Sequence, residues 1–260
     1  KEAGRNRVHM YQPDNEELLL RKGQMQWVAR IREALDKDLF RLYFQPIVPA
    51  NTHGKNQGHI EIFIRMVDND QTIIPPGAFI PAAERYHLMQ EIDFWVVKNT
   101  LAWLSGQLRK QPDSVALCCI NLSGTSVGDL SALDYIKEYL ELYSIPPELV
   151  CFEVTETEAV ANLVAANRLI KELKKIGCQF ALDDFGSGLS SFEYLKNLAV
   201  DYLKIDGAFV KAIDQDKIDK VMVTSINTIG HEMGLKTIAE FVSSAAILEE
   251  LRGIGVDYVQ

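Results

Sequence analysis

The sequence predicts an α/β fold in which mostly parallel strands close into a barrel. Segments with strand-like and helix-like patterns alternate along most of the 260 residues, which favours a parallel sheet surrounded by helices. A hydrophobic content of 47% is sufficient for one large core. Eight short apolar segments are present, and nearly every one ends on a residue that can bind a metal or a phosphate. A barrel gathers such strand ends into a single site.

A polar stretch and a helix precede the predicted barrel. Residues 1–17 carry no hydrophobic period and are expected to be a connector. Residues 18–38 are predicted to be helical because their apolar residues recur on one face. We expect one barrel domain over residues 18–260, in which the helix that normally follows the eighth strand is missing.

The first two strands are predicted to form an antiparallel hairpin. They cover residues 42–49 and 59–66, and the turn at 51–58 is too short for a crossover helix. Pro46 indicates that the first strand is irregular or edge-like.

Helices and strands alternate after this hairpin, with Pro75-Pro76 as the first helix start signal. The remaining strands are predicted near residues 116–122, 149–155, 179–184, 201–206, 235–241 and 256–260. The helices are predicted near residues 76–86, 90–109, 130–143, 158–175, 190–197, 213–232 and 244–252.

Composition narrows the range of functions. The net charge of −9 argues against binding of a DNA or RNA duplex, although bound divalent cations would still allow a small phosphorylated ligand. No run of about 18 apolar residues predicts a membrane span, and no cleavable targeting peptide opens the chain. The four cysteines lie in or beside predicted core strands without CxxC spacing, so we expect small buried thiols and a cytosolic location.

The segment at residues 180–191 carries the most specific signal. Its sequence FALDDFGSGLSS places Asp183 and Asp184 where a buried strand ends. Consecutive strand residues point to opposite faces, so both can serve one site only if the chain turns, which Gly186 and Gly188 permit. Two carboxylates this close repel unless a cation lies between them, and oxygen ligands favour Mg²⁺ or Mn²⁺. The alternative is a helix-capping aspartate beside a surface loop.

Several other polar residues lie at or near strand ends, and each allows two interpretations. Glu153 is inward or desolvated, so metal ligation or a partner such as Lys204 would offset the cost of its burial. Glu156 either braces the next loop or is a solvated charge. Asn121 either offers a neutral oxygen to a cation or forms an Asx-type turn. Lys204 either stabilises phosphate charge or an attacking hydroxide, or forms a structural pair with Asp206.

Glu61 and Arg65 lie four residues apart in the second predicted strand, so their side chains share one face. This pair suits a metal together with a phosphate or a guanine edge, or else a surface ion pair. Glu240 and Gln260 end the last two predicted strands.

Together these segments resemble the EAL-domain family of cyclic di-GMP phosphodiesterases over about residues 25–260. The matching segments, in the family's order and spacing, are YFQPIV, EIFIR, INLS, FEVTE, ALDDFGSGLSSFEYLKNLAVDYLKID, TIAE and DYVQ. The resemblance implies a TIM-like (β/α)8 barrel with an antiparallel first strand. It also implies hydrolysis of one phosphodiester bond of cyclic di-GMP to give linear pGpG.

The resemblance further implies two divalent cations, Mg²⁺ or Mn²⁺, with an attacking water between them. The implied metal ligands are Glu61, Asn121, Glu153, Asp183, Asp184 and Glu240, and Asp183 bridges the two ions. The residues implied to contact the substrate are Gln45, Arg65, Asp184, Lys204 and Glu240. The residues implied in catalysis are Lys204, Glu240, Gln260 and Glu156, the last as the tether of the DFGSG loop.

Some positions depart from the family pattern. Ile62-Phe63 stand where the family has Ala-Leu, and AEFVSS stands where it has AEGVET. We expect Phe63 to reshape a ligand contact. If the family glycine needs a positive φ, we expect Phe241 to displace the loop that carries Glu240. A catalytically weak cyclic di-GMP receptor is therefore an alternative, and another two-metal phosphoester hydrolase is a third.

Residues 1–11 resemble the last strand of a GGDEF domain. The resemblance implies an upstream GGDEF-like domain in the same polypeptide, with residues 1–17 as its end and linker, and it implies a homodimer. We expect this domain to lie in the cytoplasm with no membrane contact of its own, whether or not the parent protein is membrane-anchored.

Overall fold

The structure is a computed structural model that describes residues 16–51, 58–68, 70–187 and 192–260. Most of the predicted connector at 1–17, most of the hairpin turn at 51–58 and Gly188 lie outside the described residues. The strands are β1 Phe40–Pro49, β2 His59–Val67, β3 Ile73–Ile74, β4 Leu117–Asn121, β5 Val150–Thr155, β6 Gln179–Phe185, β7 Tyr202–Ile205, β8 Lys236–Ala239 and β9 Tyr258–Val259.

The helices surround these strands. They are α1 Glu16–Asp36, α2 Pro76–Arg85, α3 Met89–Lys110, α4 Gly124–Val127, α5 Leu130–Tyr143, α6 Glu156–Ala161, α7 Leu163–Ile176, α8 Phe192–Leu195, α9 Gly207–Val210, α10 Lys217–Glu232 and α11 Ala245–Ile254. A short 3₁₀ turn at Pro147–Leu149 leads into β5.

Eight strands of the described chain form a closed barrel in the order β1-β9-β8-β7-β6-β5-β4-β2, and pairing of β1 with β2 completes the ring. β1 runs antiparallel to both of its neighbours, while the other barrel strands pair in parallel. The short β3 pairs with the end of β2, outside the ring. The predicted (β/α)8 barrel with an antiparallel first strand is therefore confirmed.

Buried residues fill the inside of the barrel below the strand ends. One inward side chain from each strand contributes to this plug, and each lies two positions from a polar residue at the rim. The plug residues are Ile47, His59, Cys119, Cys151, Ala181, Tyr202, Ile238 and Tyr258. Residues two apart in a strand point to the same face, so the next inward residue of each strand must also face the barrel axis.

A larger apolar core lies between the barrel and its helices. The four cysteines are all free and buried, as expected of small core side chains. Phe152 and Phe180 pack on neighbouring strands with ring centroids 5.8 Å apart, which shows how the outward faces of β5 and β6 join this core.

Several element boundaries differ from the sequence predictions. The helix predicted at 158–175 is two helices, because the Asn162 side chain accepts a hydrogen bond from the Ala165 N–H and starts a new helix. The helix predicted at 213–232 begins only at Lys217, where the Asp216 carboxylate caps its first turn. The strand predicted at 235–241 ends at Ala239, so Glu240 lies just beyond it.

Candidate metal centre

The polar residues predicted at the strand ends meet at one end of the barrel. Each lies two positions along the chain from a plug residue, which aims it at the barrel axis. This rim consists of Gln45, Glu61, Asn121, Glu153, Asp183, Lys204, Glu240 and Gln260. Their carboxylates, amides and one ammonium come from eight strand segments that are far apart in sequence.

Lys204 lies at the centre of the rim and is fully buried. Its Nζ atom is 3.0 Å from Glu61 Oε2 and 2.7 Å from Glu153 Oε2. It also lies 3.1 Å from Asp183 Oδ1 and 2.9 Å from Glu240 Oε1. One ammonium group thus holds four carboxylates around a single point. Asp206, the other partner that the sequence allowed, caps α9 by accepting a hydrogen bond from the Ala208 N–H instead.

Two amides donate hydrogen bonds to the Glu61 carboxylate, one from the neighbouring strand β4 and one from the residue that follows β9. Asn121 Nδ2 donates to Glu61 Oε1 at 2.7 Å, and Gln260 Nε2 donates to Glu61 Oε2 at 2.8 Å. The Asn121 amide therefore presents its nitrogen to the cluster. Gln45 is paired directly opposite Glu61 in the β1–β2 register.

Asp183 and Asp184 reach the same site because the chain turns at their position. Asp184 has a positive φ of 53°, and Gly186 follows with a φ of 99°. The β6–β7 register shifts between Leu182 and Phe185, which marks the same irregularity in the sheet. The Asp184 N–H donates to Asp183 Oδ1 at 2.9 Å. Asp184 therefore lies beside Asp183, as the sequence interpretation required, although its own positive φ contributes to the turn along with the glycine.

The carboxylates form two overlapping groups. One oxygen from each of Glu61, Glu153 and Asp183 lies within 4.8 Å of the others. The same limit holds for one oxygen from each of Asp183, Asp184 and Glu240. Asp183 belongs to both groups.

Burial and mutual repulsion shift the ionisation of these groups. Burial raises the pKa of Glu153 well above its ordinary value, and repulsion from Glu61 adds to this against the pull of Lys204. Burial, assisted by Asp183, likewise raises the pKa of Glu240 to about 7 against the pull of Lys204. Burial also raises the pKa of Asp184.

Two groups in the cluster are stabilised in their charged form. Burial opposes ionisation of Glu61, but the Lys204 charge and the hydrogen bonds from Asn121 and Gln260 outweigh burial and lower its pKa. Burial likewise opposes the Lys204 charge, but the surrounding carboxylates, Glu153 first among them, raise its pKa well above the ordinary value. Lys204 therefore remains an ammonium at neutral pH.

The donor set fits a hard divalent cation. Glu153 Oε1 is buried and has no hydrogen-bond partner among the described residues, and the same is true of Gln260 Oε1. A buried oxygen of this kind is costly unless something else pairs with it. Oxygen donors from carboxylates and amides are the ligands that Mg²⁺ and Mn²⁺ prefer. The carboxylates that would hold such ions are those of Glu61, Glu153, Asp183, Asp184 and Glu240. Asn121 would join them once its amide turned to present its oxygen instead of the nitrogen that now donates to Glu61.

Glu156 braces the loop that follows β6. It is buried, so it is not the solvated charge that the sequence left open. Its Oε2 accepts a hydrogen bond from the Gly186 N–H at 2.9 Å, and its Oε1 accepts one from the Tyr194 hydroxyl at 2.5 Å. Through these bonds Glu156 connects the turn after Asp183-Asp184 to helix α8.

Two cavities open beside the cluster. One, of about 350 Å³, is lined by Phe63, Ile80, Ser123 and Glu158 together with cluster carboxylates. The other, of about 250 Å³, is lined by Gln45, Phe63, Arg65, Glu240, Phe241 and Gln260. Phe63 and Glu240 line both cavities, so the cavities are neighbours on either side of this pair.

Arg65 faces the smaller cavity, as expected from its strand face. Its guanidinium carbon lies 5.6 Å from the ring centroid of Tyr43 in β1. It lies 5.9 Å from the ring centroid of Phe63, which precedes it by two residues in β2. Its Nη1 donates to the Ile64 carbonyl at 2.8 Å. The Glu61 carboxylate is bonded to Lys204 and to two amides, so it is not the partner of a surface ion pair.

Phe241 does not displace Glu240, contrary to the expectation from the sequence. Phe241 itself takes a positive φ of 55°, the backbone conformation for which glycine would be the usual residue. The Glu240 carboxylate remains 2.9 Å from Lys204 Nζ.

Two further acidic residues, Asp93 and Glu158, lie near the site and were not predicted from the sequence. Asp93 on α3 is buried, and its Oδ2 accepts hydrogen bonds from the Ser123 N–H and hydroxyl and from the Ser126 hydroxyl. Burial raises the pKa of Asp93 to about 6 against these hydrogen bonds. Glu158 accepts from the Gly124 N–H at 2.6 Å and from the Thr155 hydroxyl at 2.9 Å. The Thr155-x-x-Glu158 spacing of a capping box was the available signal for Glu158.

Comparison with known proteins agrees with this geometry. The model of the EAL domain matches residues 28–260. Over 260 residues, all of this chain, the sequence is 39% identical to the cyclic di-GMP phosphodiesterase PdeB of Shewanella oneidensis. It is 34% identical over 239 residues, 92% of this chain, to the cyclic di-GMP phosphodiesterase PdeF of Escherichia coli. The chain spans 30% and 31% of the length of these two relatives.

A solved structure gives the same result for the fold. The FimX EAL domain of Pseudomonas aeruginosa, bound to c-di-GMP, aligns with a TM-score of 0.82 and 30% identity. The alignment covers 90% of this chain and 93% of the FimX domain. In the parts of this chain that the structure describes, every helix is too short or too polar to cross a bilayer.

Proposed function

Because this chain belongs to the EAL-domain family, we propose that its rim cluster is the active centre of a divalent-cation-dependent phosphodiesterase. Its substrate is cyclic di-GMP and its product is linear pGpG. The named relatives are cyclic di-GMP phosphodiesterases, and the similar FimX domain was solved with that dinucleotide bound. The observation that carries the proposal is the convergence of acidic oxygens on Lys204.

The charge of the cluster supports two cations rather than one. Five carboxylates, those of Glu61, Glu153, Asp183, Asp184 and Glu240, lie within the two overlapping groups, and Lys204 supplies one positive charge. When all six groups are ionised, four negative charges remain, which is the charge that two divalent cations neutralise. Burial is the main cause of the raised pKa values of Glu153 and Glu240, and repulsion from neighbouring carboxylates adds to it.

The side chains of the chain have distinct tasks in this proposal. Bound Mg²⁺ or Mn²⁺ would lower the pKa of an attacking water and neutralise charge on the phosphate. Lys204, which remains charged, stabilises negative charge that develops at phosphorus or on the water. Gln260 and Asn121 orient the Glu61 carboxylate through their amides. Glu156 holds the Asp183-Asp184 turn in place through Gly186.

The two cavities suit a cyclic dinucleotide, which carries two bases on one small sugar–phosphate ring. They flank Phe63 and Glu240, so a phosphodiester at the cluster would have a cavity on either side. Arg65 and Gln45 line the smaller cavity, where a guanidinium and an amide can bind phosphate oxygens or a guanine edge. Arg65 lies in this cavity beside the strongly acidic rim, so it adds attraction for an anionic ligand.

We propose further features that rest on the family resemblance. Residues 1–17 are the end of a GGDEF-like domain and its linker, and the barrel works as a homodimer beside that domain. The protein acts in the cytoplasm, which agrees with four free cysteines. The chemistry proposed at the rim requires neither the neighbouring domain, nor the dimer, nor the cytoplasmic location.

The direct test is hydrolysis of cyclic di-GMP with Mg²⁺ or Mn²⁺, with pGpG separated from substrate by chromatography. We expect one equivalent of pGpG per dinucleotide, and none with Glu153→Ala, which removes a cation ligand. A lasting absence of product at high concentrations of folded protein would refute hydrolysis. Tight cation-independent binding without product would instead indicate a receptor. Equal cleavage of simple phosphodiesters would indicate a less specific two-metal hydrolase.

A further inference from the structure

Phe241 holds an unusual backbone conformation directly beside the cluster. Its φ of 55° lies in the left-handed region, which bulky residues rarely adopt. It follows Glu240, whose carboxylate contacts Lys204. A residue keeps such a conformation only when its surroundings hold it there, and such residues tend to occur at functional sites.

The aromatic ring of Phe241 lies against Gly207 on one side, while 58% of the Phe241 surface is exposed. A Cβ atom built on Gly207 would lie 2.1 Å from Phe241 Cδ2 and 2.7 Å from Cγ, so no side chain fits there beside the ring. The Lys211 ammonium lies over the Phe241 ring, with Nζ 4.0 Å from the ring centroid. Gly207 opens α9 and Lys211 follows its end. Both contacts therefore come from one short segment after β7.

This packing connects the ends of two neighbouring strands that carry cluster residues. β7 supplies Lys204, and the turn after it supplies Gly207. β8 is followed directly by Glu240 and Phe241. The Glu240 N–H donates to the Ile205 carbonyl at a long 3.4 Å, so the backbone bond at this junction is weak. The contact of the ring with Gly207 adds a side-chain link between these strand ends.

We propose that Phe241 is a positioning residue for Glu240, and that contact with Gly207 holds the Phe241 ring in place. The residues form one unit: the ring holds the backbone of residue 241 at positive φ, and that conformation aims the preceding Glu240 carboxylate at Lys204 and Asp183. The inference deepens the proposed function and rests on it for the role of Glu240. It assigns to Phe241 and Gly207 a task that neither residue type suggests by itself.

The test is a double-mutant cycle at these two positions. Gly207→Ala places a methyl group where the ring lies and forces Phe241 out. Phe241→Gly removes the ring but tolerates the positive φ. The double variant Gly207→Ala/Phe241→Gly gives the new methyl group the space that the ring occupied. Gly253→Ala is the matched control, because nothing lies within 4 Å of a Cβ at that glycine.

Three quantities are measured for each protein: the Kd for Mn²⁺ by calorimetry, the melting temperature in EDTA, and kcat and KM for cyclic di-GMP. We expect Gly207→Ala to weaken Mn²⁺ binding and lower kcat by about 10-fold or more, the range found when residues behind a metal ligand are changed. The double variant should bind Mn²⁺ no more weakly than Phe241→Gly alone. KM should change less than kcat, and the control should match the wild type.

Two results would overturn the positioning role. The first is a Gly207→Ala protein that melts earlier but keeps wild-type Mn²⁺ affinity, since the packing would then be structural only. The second is a double variant in which the two losses of affinity multiply. If Gly207→Ala does not fold, Phe241→Ala and Phe241→Gly decide the matter, because both lack the ring and both must lose Mn²⁺ affinity. A wild type that binds Mn²⁺ with the expected coupling but makes no pGpG would refute the proposed function and leave the coupling intact.

Discussion

Replacing Lys204 by methionine should strongly destabilise the metal-free protein. Methionine retains much of the aliphatic volume but removes the ammonium that lies 2.7–3.1 Å from four carboxylate oxygens. Glu61 and Glu153, both buried, then lose the positive charge that compensates them. Without it, their negative charges repel each other in a site that water hardly reaches.

The expected loss is about 3–5 kcal/mol of unfolding free energy, the usual effect of removing one partner from a buried ion pair. Four contacts do not make the loss four times larger. The pKa of Glu153 and that of Glu240 are already raised, so one or two carboxyl groups take up a proton when the ammonium is absent. Protonation limits the cost to about that of a single broken pair.

Urea denaturation in EDTA, followed by circular dichroism, measures this loss. Saturating Mn²⁺ should restore most of the stability, because divalent cations supply the missing positive charge to the same oxygens. Turnover should nevertheless stay about 10²–10³-fold below the wild type, since the ammonium also stabilises charge during the reaction. Stability and turnover therefore respond differently to the same ion.

Lys220→Met is the matched control, because Lys220 forms an exposed ion pair with Glu250. It should change stability by no more than about 1 kcal/mol. Lys204 does not act as a central compensating charge if Lys204→Met in EDTA is as stable as this control. The catalytic role is refuted if the Mn²⁺-loaded variant turns over at the wild-type rate.

Two further predictions concern single carboxyl groups. Glu153→Gln should leave the metal-free protein at least as stable as the wild type, because it removes a charge from an overcrowded cluster. Calorimetry should nevertheless show that its Mn²⁺ affinity is about 10-fold weaker or more. An unchanged affinity would remove Glu153 from the set of metal ligands. Asp93 has a folded-state pKa raised from 3.8 to about 6, so its protonated form contributes stability that is present below pH 3.8 and is lost as pH rises to about 6. Urea titrations in EDTA at pH 4.5 and 7 should show this loss in the wild type but not in Asp93→Asn, and equal pH dependence in both proteins would contradict the assignment.

The barrel and its rim were predictable because the relevant signals are local. An apolar segment that ends in a polar residue can be recognised without knowledge of its neighbours, and parallel strands bring such ends together. Glu153 and Asp183 are examples, since each follows its plug residue by two positions. The break at Asn162 was missed because the helical pattern continues on both sides of it, and only the capping geometry separates the helices.

Most contacts between distant residues were not predictable, although the sequence did allow Lys204 as a partner of Glu153. Glu61 and Lys204 are 143 positions apart, and nothing near Lys204 shows that it binds four carboxylates rather than the nearby Asp206. Phe241 is the clearest case. The sequence correctly marked a position where a positive φ would be difficult, but the residue that makes the conformation possible is Gly207, in another loop. The strain of a positive φ can be relieved by movement of the loop or accommodated by a neighbouring residue. The choice depends on side-chain packing, which cannot be read from the sequence pattern.

The reversed direction of β1 affects how the barrel is connected to the helix before it. In a barrel whose strands all run the same way, the first strand starts at the end away from the rim. Here Phe40, at the start of β1, pairs with Met66 near the end of β2, so the chain enters the barrel on the ligand-facing side. Helix α1, anchored by the buried Ile31 and Ala34, leads into this strand after only a short link. A displacement of α1 would therefore be transmitted along β1 to Gln45 directly, without passing through the rest of the barrel.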